Sequence, residues 1–412
     1  MSTPQVIVLV VFAATYVGMA LGRVPGLTLD RTGIALLALA ALLASGVMDV
    51  AAFGAAIDAP TLILLFALMI VSAQFAGAGF YDRCAAAITR AQVSPAVLLA
   101  LTVAVGGGLS AVLANDIVVF AMTPLLCIGI QGRGLDPRPF LIGLAGASNA
   151  GSAATLIGNP QNILIGQVGG LDFWHFIAVC GVPALVALVL VYAVTRVMWR
   201  NALAAPGMPA ADAAPVPVDR RQVGKGALAV VALVILFATP VPREVAALGI
   251  AALLLVSRRM ESRAMLRSVD WNLLLLFLCL FAVTAALAGT GLAGDALGWA
   301  AQRGFSLDRL SVLTPVTLLL SNTIGNVPAV ILITAIWPAA PQGAYYALAL
   351  LSTLAGNLLI VGSIANLIVA ERAQASGVRL GFMDFARAGI PMTLLSMAVA
   401  VLWLWAFGWL PW

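Results

Sequence analysis

Long apolar runs follow one another along this chain with little polar interruption. Runs near 5–22, 31–48, 59–80, 139–166, 173–197, 226–242, 244–257, 271–293, 343–370 and 385–409 read as membrane spans, since about 20 apolar residues cross a hydrocarbon core. Two further apolar segments, 93–131 and 309–338, are broken near their centres by Asn115-Asp116 and Ser321-Asn322-Thr323. Each predicts a re-entrant hairpin that enters and leaves by one face. Runs this continuous exclude a transmembrane barrel, whose strands alternate. The first run lacks a basic leader and a cleavage site, and reads as a retained helix.

The pattern repeats. Asp58-Ala59-Pro60 opens TLILLFALMIVSAQFAGAGF, and Asp270-Trp271-Asn272 opens LLLLFLCLFAVTAALAGTGL. At one offset Asp58 falls on Asp270, Gly77 on Gly289, Gly79 on Gly291 and Arg31 on Arg243. Further on, Asn115 falls on Asn322, and Gly158-Asn159-Pro160-Gln161-Asn162 on Gly362-Ser363-Ile364-Ala365-Asn366. The reading is an all-α polytopic membrane protein of two inverted repeats, with about ten transmembrane helices, two re-entrant hairpins and two broken helices. The first repeat covers 1–200, with hairpin 93–131 and broken helix 138–168; the second covers 225–412, with hairpin 309–338 and broken helix 343–371. A Pro/Ala-rich cytoplasmic linker, 201–224, joins them.

Composition changes the picture in one respect. Of the 412 residues 63% are hydrophobic and 9% charged, against roughly 25% charged in soluble domains. Mean hydropathy is +1.09. The net charge of +5 then speaks for topology and not for nucleic acid. With both hairpins re-entrant, the 21 basic residues, from Arg23 to Arg387, share one face except Arg243, Arg303 and Arg309. The positive-inside rule makes that face cytoplasmic and both termini periplasmic, in a bacterial inner membrane. Cys84, Cys127, Cys180 and Cys279 form no C-x-x-C pair and read as small core residues. His175, beside Trp174, reads as interfacial, and no phosphate-binding or hydrolase motif appears.

The candidate chemistry lies in the interruptions. Unpaired backbone in hydrocarbon costs several kcal/mol per group, so irregular chain persists only where it is buried or lines a cavity. Gly158 and Pro160 break the 138–168 helix, exposing carbonyls for a cation and a helix N-terminus for an anion. Asn159, Gln161 and Asn162 add amides, and the second copy offers Asn357, Gly362, Ser363 and Asn366. Asn115, Asp116, Ser321, Asn322 and Thr323 complete the expected substrate site. Asp116 is the one acidic residue placed deep in the bilayer, where ionisable groups are usually functional. It is expected to carry H⁺ or Na⁺ together with Asn115, Ser148, Ser321 and Asn322, Asn115 and Asn322 being the candidate Na⁺ ligands. No lysine or arginine is expected to reach this site.

Ser321-Asn322-Thr323 at a hairpin, with G-[NS]-x-x-N in each half, resembles the ion transporter superfamily. That group includes divalent anion/sodium symporters, citrate carriers and arsenical-pump permeases. The resemblance spans nearly the whole chain. It implies a homodimer with an elevator-like transport domain and no cofactor beyond the coupling ion. In the symporters both hairpins carry S-N-T; here Ala114 and Asp116 replace Ser and Thr. The expected function is secondary active transport of a small anion, a di- or tricarboxylate or an inorganic oxyanion, coupled to H⁺ or Na⁺. Arsenite/antimonite efflux and Na⁺/H⁺ antiport are the alternatives. A channel or membrane enzyme is disfavoured, since no nucleophile–base pair appears.

Overall fold

The computed structural model describes residues 1–21, 29–204, 208 and 217–412; Arg23 and the middle of the expected linker, apart from Met208, lie outside the described residues. The first half contains α1 (Thr3–Leu21), α2 (Arg31–Ala44), α3 (Val50–Ala56), α4 (Ala59–Gly77), α5 (Phe80–Arg90), α6 (Pro95–Val112), α7 (Asn115–Gln131), α8 (Arg138–Ser152), α9 (Pro160–Val168), α10 (Phe173–Met198) and α11 (Arg200–Ala204). The second contains α12 (Arg220–Leu236), α13 (Arg243–Leu255), α14 (Ser262–Arg267), α15 (Trp271–Gly289), α16 (Leu292–Ala301), α17 (Leu310–Thr323), α18 (Asn326–Ile336), α19 (Gln342–Ala355), a 3₁₀ turn (Ile360–Gly362), α20 (Ile364–Ala375) and α21 (Phe382–Ala406).

The same local devices recur at the aligned positions. Asp58 and Asp270 cap α4 and α15, their carboxylates accepting from the N–H of Thr61 and Leu273. Gly79 and Gly291 both adopt the left-handed conformation, φ 71° and 76°, which glycine enters without steric cost. Helix also reaches into both ends of the expected linker. α11 occupies its start, and α12 begins at Arg220 because Asp219 accepts from the N–H of Arg221 and Gln222. The Asp219 N–H in turn donates to the Ala78 carbonyl at 3.1 Å, beside Gly79.

Among the described residues six helices, α1, α4, α6, α10, α15 and α21, are long and apolar enough to cross a membrane, α6 being the first limb of the expected 93–131 hairpin. The outer face is apolar, with Leu37, Leu185, Leu253 and Leu319 exposed. Such a surface suits lipid and not water. At the centre stand α8 and α19, in which Pro139 to Ser152 and Gly343 to Ala355 are buried without interruption. The halves interlock: α2 packs on α15, α4 on α13, α7 on α20 and α9 on α18.

The helices of each hairpin meet at a tight turn inside the bundle. At the first turn, Leu113–Ala114, the Ala114 N–H donates to Ser72 Oγ, well within α4. In the second, α17 and α18 have 14 and 11 residues, about 21 and 17 Å at 1.5 Å per residue, short of a ~30 Å core. Here the turn falls on Ile324–Gly325, after Ser321-Asn322-Thr323, because Gly325 takes φ 98°. Asn115 therefore opens the second limb of its hairpin, whereas Asn322 lies in the last turn of the first limb of the other.

Candidate functional site

Both broken helices are held by the same staple. Asn162 Nδ2 donates to the carbonyls of Ser152 (3.2 Å) and Thr155 (2.9 Å). Asn366 Nδ2 donates to those of Gly356 (2.8 Å) and Leu359 (3.2 Å), the aligned positions. These are helix-end carbonyls that would otherwise be buried unpaired. Asn159 caps α9, its Oδ1 accepting from the Asn162 N–H at 2.9 Å, and Pro160 at the first helical position needs no donor. Gly158 is required by space: a Cβ would lie 2.5 Å from the Ser152 carbonyl oxygen and 2.8 Å from that of Ser110. At Gly362 a Cβ would collide with Asn322 Oδ1.

The two breaks are bonded to each other. Asn149 of α8 donates to Oδ1 of Asn357 (2.8 Å) and of Asn366 (3.1 Å), and accepts from Ser363 Oγ (2.9 Å). At the aligned position of α19, Thr353 Oγ1 accepts from Gln161 Nε2 (3.2 Å) and Asn159 Nδ2 (3.4 Å). Asn162 and Asn366 are thus spent on holding the loops.

The hairpins close over this network. The Asn115 N–H donates to the Gly158 carbonyl (3.3 Å). Asn322 Nδ2 donates to the carbonyls of Leu318 (3.0 Å) and Ala355 (2.9 Å). Several buried oxygens have no hydrogen-bond partner among the described residues: Ser110 Oγ, Asn115 Oδ1 and Ser148 Oγ in the first half, Thr317 Oγ1, Ser321 Oγ and Asn322 Oδ1 in the second. Leaving such a group unpaired costs about 1–3 kcal/mol. Oxygen donors of this kind suit a hard cation such as Na⁺. Thr323 is not brought to the site: it is exposed, and its hydroxyl donates to the carbonyls of Leu319 (2.8 Å) and Leu320 (3.2 Å) of its own helix.

Two cavities meet at Asn115, Asp116 and Pro160. One is lined by the second-half residues Asn326, Ser363 and Ile364, with Asn149 and Gln161 from the first. The N-termini of α7, α9, α18 and α20 all open on it, and helix N-termini favour negative charge. The other runs past Leu68 and Met69 to Ser268 and Asp270, so Asp116 shares a chamber with a second carboxylate. Each has a volume of about 30 Å³, enough for a water or a single ion and far below the roughly 300 Å³ of small-molecule pockets.

The first cavity also corrects the expectation that no basic side chain reaches the site, because Arg31 lines it. Its guanidinium comes within 3.2 Å of where a Cβ on Gly325 would stand. In sequence Arg31 looks like one more topological arginine at a span end. Only the packing of α2 on α15 brings it to this cavity. Asn326 and Asp270 also line these cavities, and neither is among the site residues that the sequence points to.

The family profile described as citrate transporter (CitMHS) matches residues 7–355. An uncharacterized transporter of Mycobacterium tuberculosis is 30% identical over 97% of this chain and 98% of its own length. A silicon efflux transporter of Oryza sativa subsp. japonica is 27% identical over 97% and 98%. The putative transporter arsB of Dictyostelium discoideum is 22% identical over 91% and 87%. Among solved structures, the YdaH transporter of Alcanivorax borkumensis has the same fold, with a TM-score of 0.58, 17% identity and 99% of each chain covered.

Proposed function

Because the chain belongs to the citrate transporter (CitMHS) family, we propose that it is a secondary active transporter of a small anion, a carboxylate or inorganic oxyanion, coupled to H⁺ or Na⁺ through Asp116. The observation that carries this reading is the convergence of four helix N-termini on one cavity that also contains Asp116. The N-termini attract the anion. A charged Asp116 beside them repels it until a proton or Na⁺ neutralises the carboxylate. Binding of the two ions is then mutually favourable, which is the thermodynamic content of coupling.

The small volume of the cavities supports movement. An organic anion is larger than about 30 Å³, which supports loading by separation of the hairpins and broken helices from their surroundings. The reading is an elevator-type displacement in a protein of two inverted repeats, set in a bacterial inner membrane as a homodimer. Cytoplasmic loops carry most of the arginines, and both termini are periplasmic.

The test is uptake of labelled citrate, succinate and phosphate into proteoliposomes under imposed pH or Na⁺ gradients. The wild type should accumulate at least one of them, and Asp116→Asn should lose the response to the gradient by about 10-fold or more. Wild-type-like gradient dependence in Asp116→Asn would remove Asp116 from coupling. A second reading, efflux of arsenite or silicon as neutral hydroxy acids, is favoured by the amides lining the cavity and by the relative named as a silicon efflux transporter. Growth of a sensitive host on arsenite separates the two.

A further inference from the structure

We infer that Arg31 is the residue that reads the substrate's charge, clamping a carboxylate or tetrahedral oxyanion from outside the hairpins and broken helices. The inference rests on the anion-transport reading above and specifies how its cavity selects a ligand. Arg31 opens α2, which packs on α1 and α15, and Thr32 beside it donates its hydroxyl to the Asn272 carbonyl at 3.3 Å. The guanidinium thus enters the cavity from the α2–α15 pair, while Asn115, Pro160, Asn326 and Ser363 face it from the hairpins and breaks.

The simpler explanation is a topological arginine reaching for lipid phosphate. Two observations stand against it. The Arg31 guanidinium lies over the Gly325 turn, inside the bundle. It also makes no ion pair or cation–π contact among the described residues. The neighbouring Asp30 instead accepts from the Gly33 N–H at 2.8 Å, capping α2. Arg243, at the aligned position of the second half, donates to the Leu171 carbonyl. An unpaired guanidinium in a partly dry cavity is costly, and its planar fork matches two oxygens of one carboxylate or phosphate.

The consequence is selectivity by charge. With Asp116 neutralised by its cation, Arg31 leaves a net positive cavity that suits an anion offering two oxygens. A neutral hydroxy acid would leave the guanidinium unpaired.

Proteoliposome uptake of citrate, succinate and phosphate is measured as a function of concentration for wild type, Arg31→Gln, Arg31→Lys and Arg83→Gln. Each variant is first checked for monodisperse elution in detergent. Arg31→Gln should raise KM at least about 10-fold for the anion carried, with a smaller change in kcat. Arg31→Lys should fall between it and wild type, because it keeps the charge and loses the fork. Arg83→Gln should match wild type. If Arg31→Gln does not fold, Arg31→Lys alone decides. Wild-type KM values in whichever Arg31 variant folds overturn the inference and leave the anion reading standing. A wild type that moves none of the anions but exports arsenite overturns both.

Discussion

Asn162 and Asn366 make the same two kinds of bond to carbonyls at aligned positions, which separates holding a break from using it. Amides in broken membrane helices look alike in sequence. The structure divides them into staples (Asn162, Asn366), linkers between the halves (Asn149, Asn357) and groups with an unpaired oxygen (Asn115, Asn322). Asn162→Ala leaves two buried carbonyls without a donor, so it should destabilise the protein by about 2 kcal/mol or more. The expected readout is a lower melting temperature in detergent, larger than that of Thr323→Ala, whose hydroxyl is exposed. Equal effects would mean that the break does not depend on its staple.

At the scale of elements, helix ends carry the chemistry. Asp270 caps α15 through the Leu273 N–H at 2.9 Å and also lines the chamber that contains Asp116. The two roles come apart by substitution. Asp270→Asn keeps a good cap and removes the charge, so stability should change by less than about 0.5 kcal/mol, whereas Asp270→Ala should lose about 1 kcal/mol. If the chamber is the cation's route to Asp116, Asp270→Asn should also slow gradient-driven uptake several-fold without altering the anion KM. Unchanged uptake would make Asp270 a cap alone. The hairpins show how one glycine shifts an element: Gly325 moves the second turn past Ser321-Asn322-Thr323, so aligned residues occupy different limbs. Alignment by sequence cannot register that shift, because it depends on a backbone angle.

At the scale of the molecule, the two halves are packed and bonded into one another. α4 lies on α13, α15 on α2, and each break is bonded to the other half through Asn149 or Thr353. A fragment covering 1–204 should therefore aggregate when expressed alone and be recovered by co-expression with 217–412, as read by size-exclusion chromatography in detergent. A monodisperse, helical 1–204 fragment would contradict this interlocking.

By itself the sequence determined the class of protein, its main apolar helices and the points where the two broken helices are interrupted. Those follow from local causes: apolar runs too long for water, and Gly, Pro and Asn at positions where a helix cannot continue. Membership of a membrane transporter family was legible for the same reason, since its motifs are those interruptions. Tertiary structure alone decided which polar groups share a cavity. Arg31 and Asp270 sit at helix ends, far in sequence from Asp116, and in sequence look like a topological charge and a cap. They line the cavities that contain Asp116 because α2 and α15 pack across the two halves. Thr323 turns away because its hydroxyl finds carbonyls on its own helix. Helix identity is a matter of neighbours in sequence, whereas the charge balance of a buried site is set by neighbours in space.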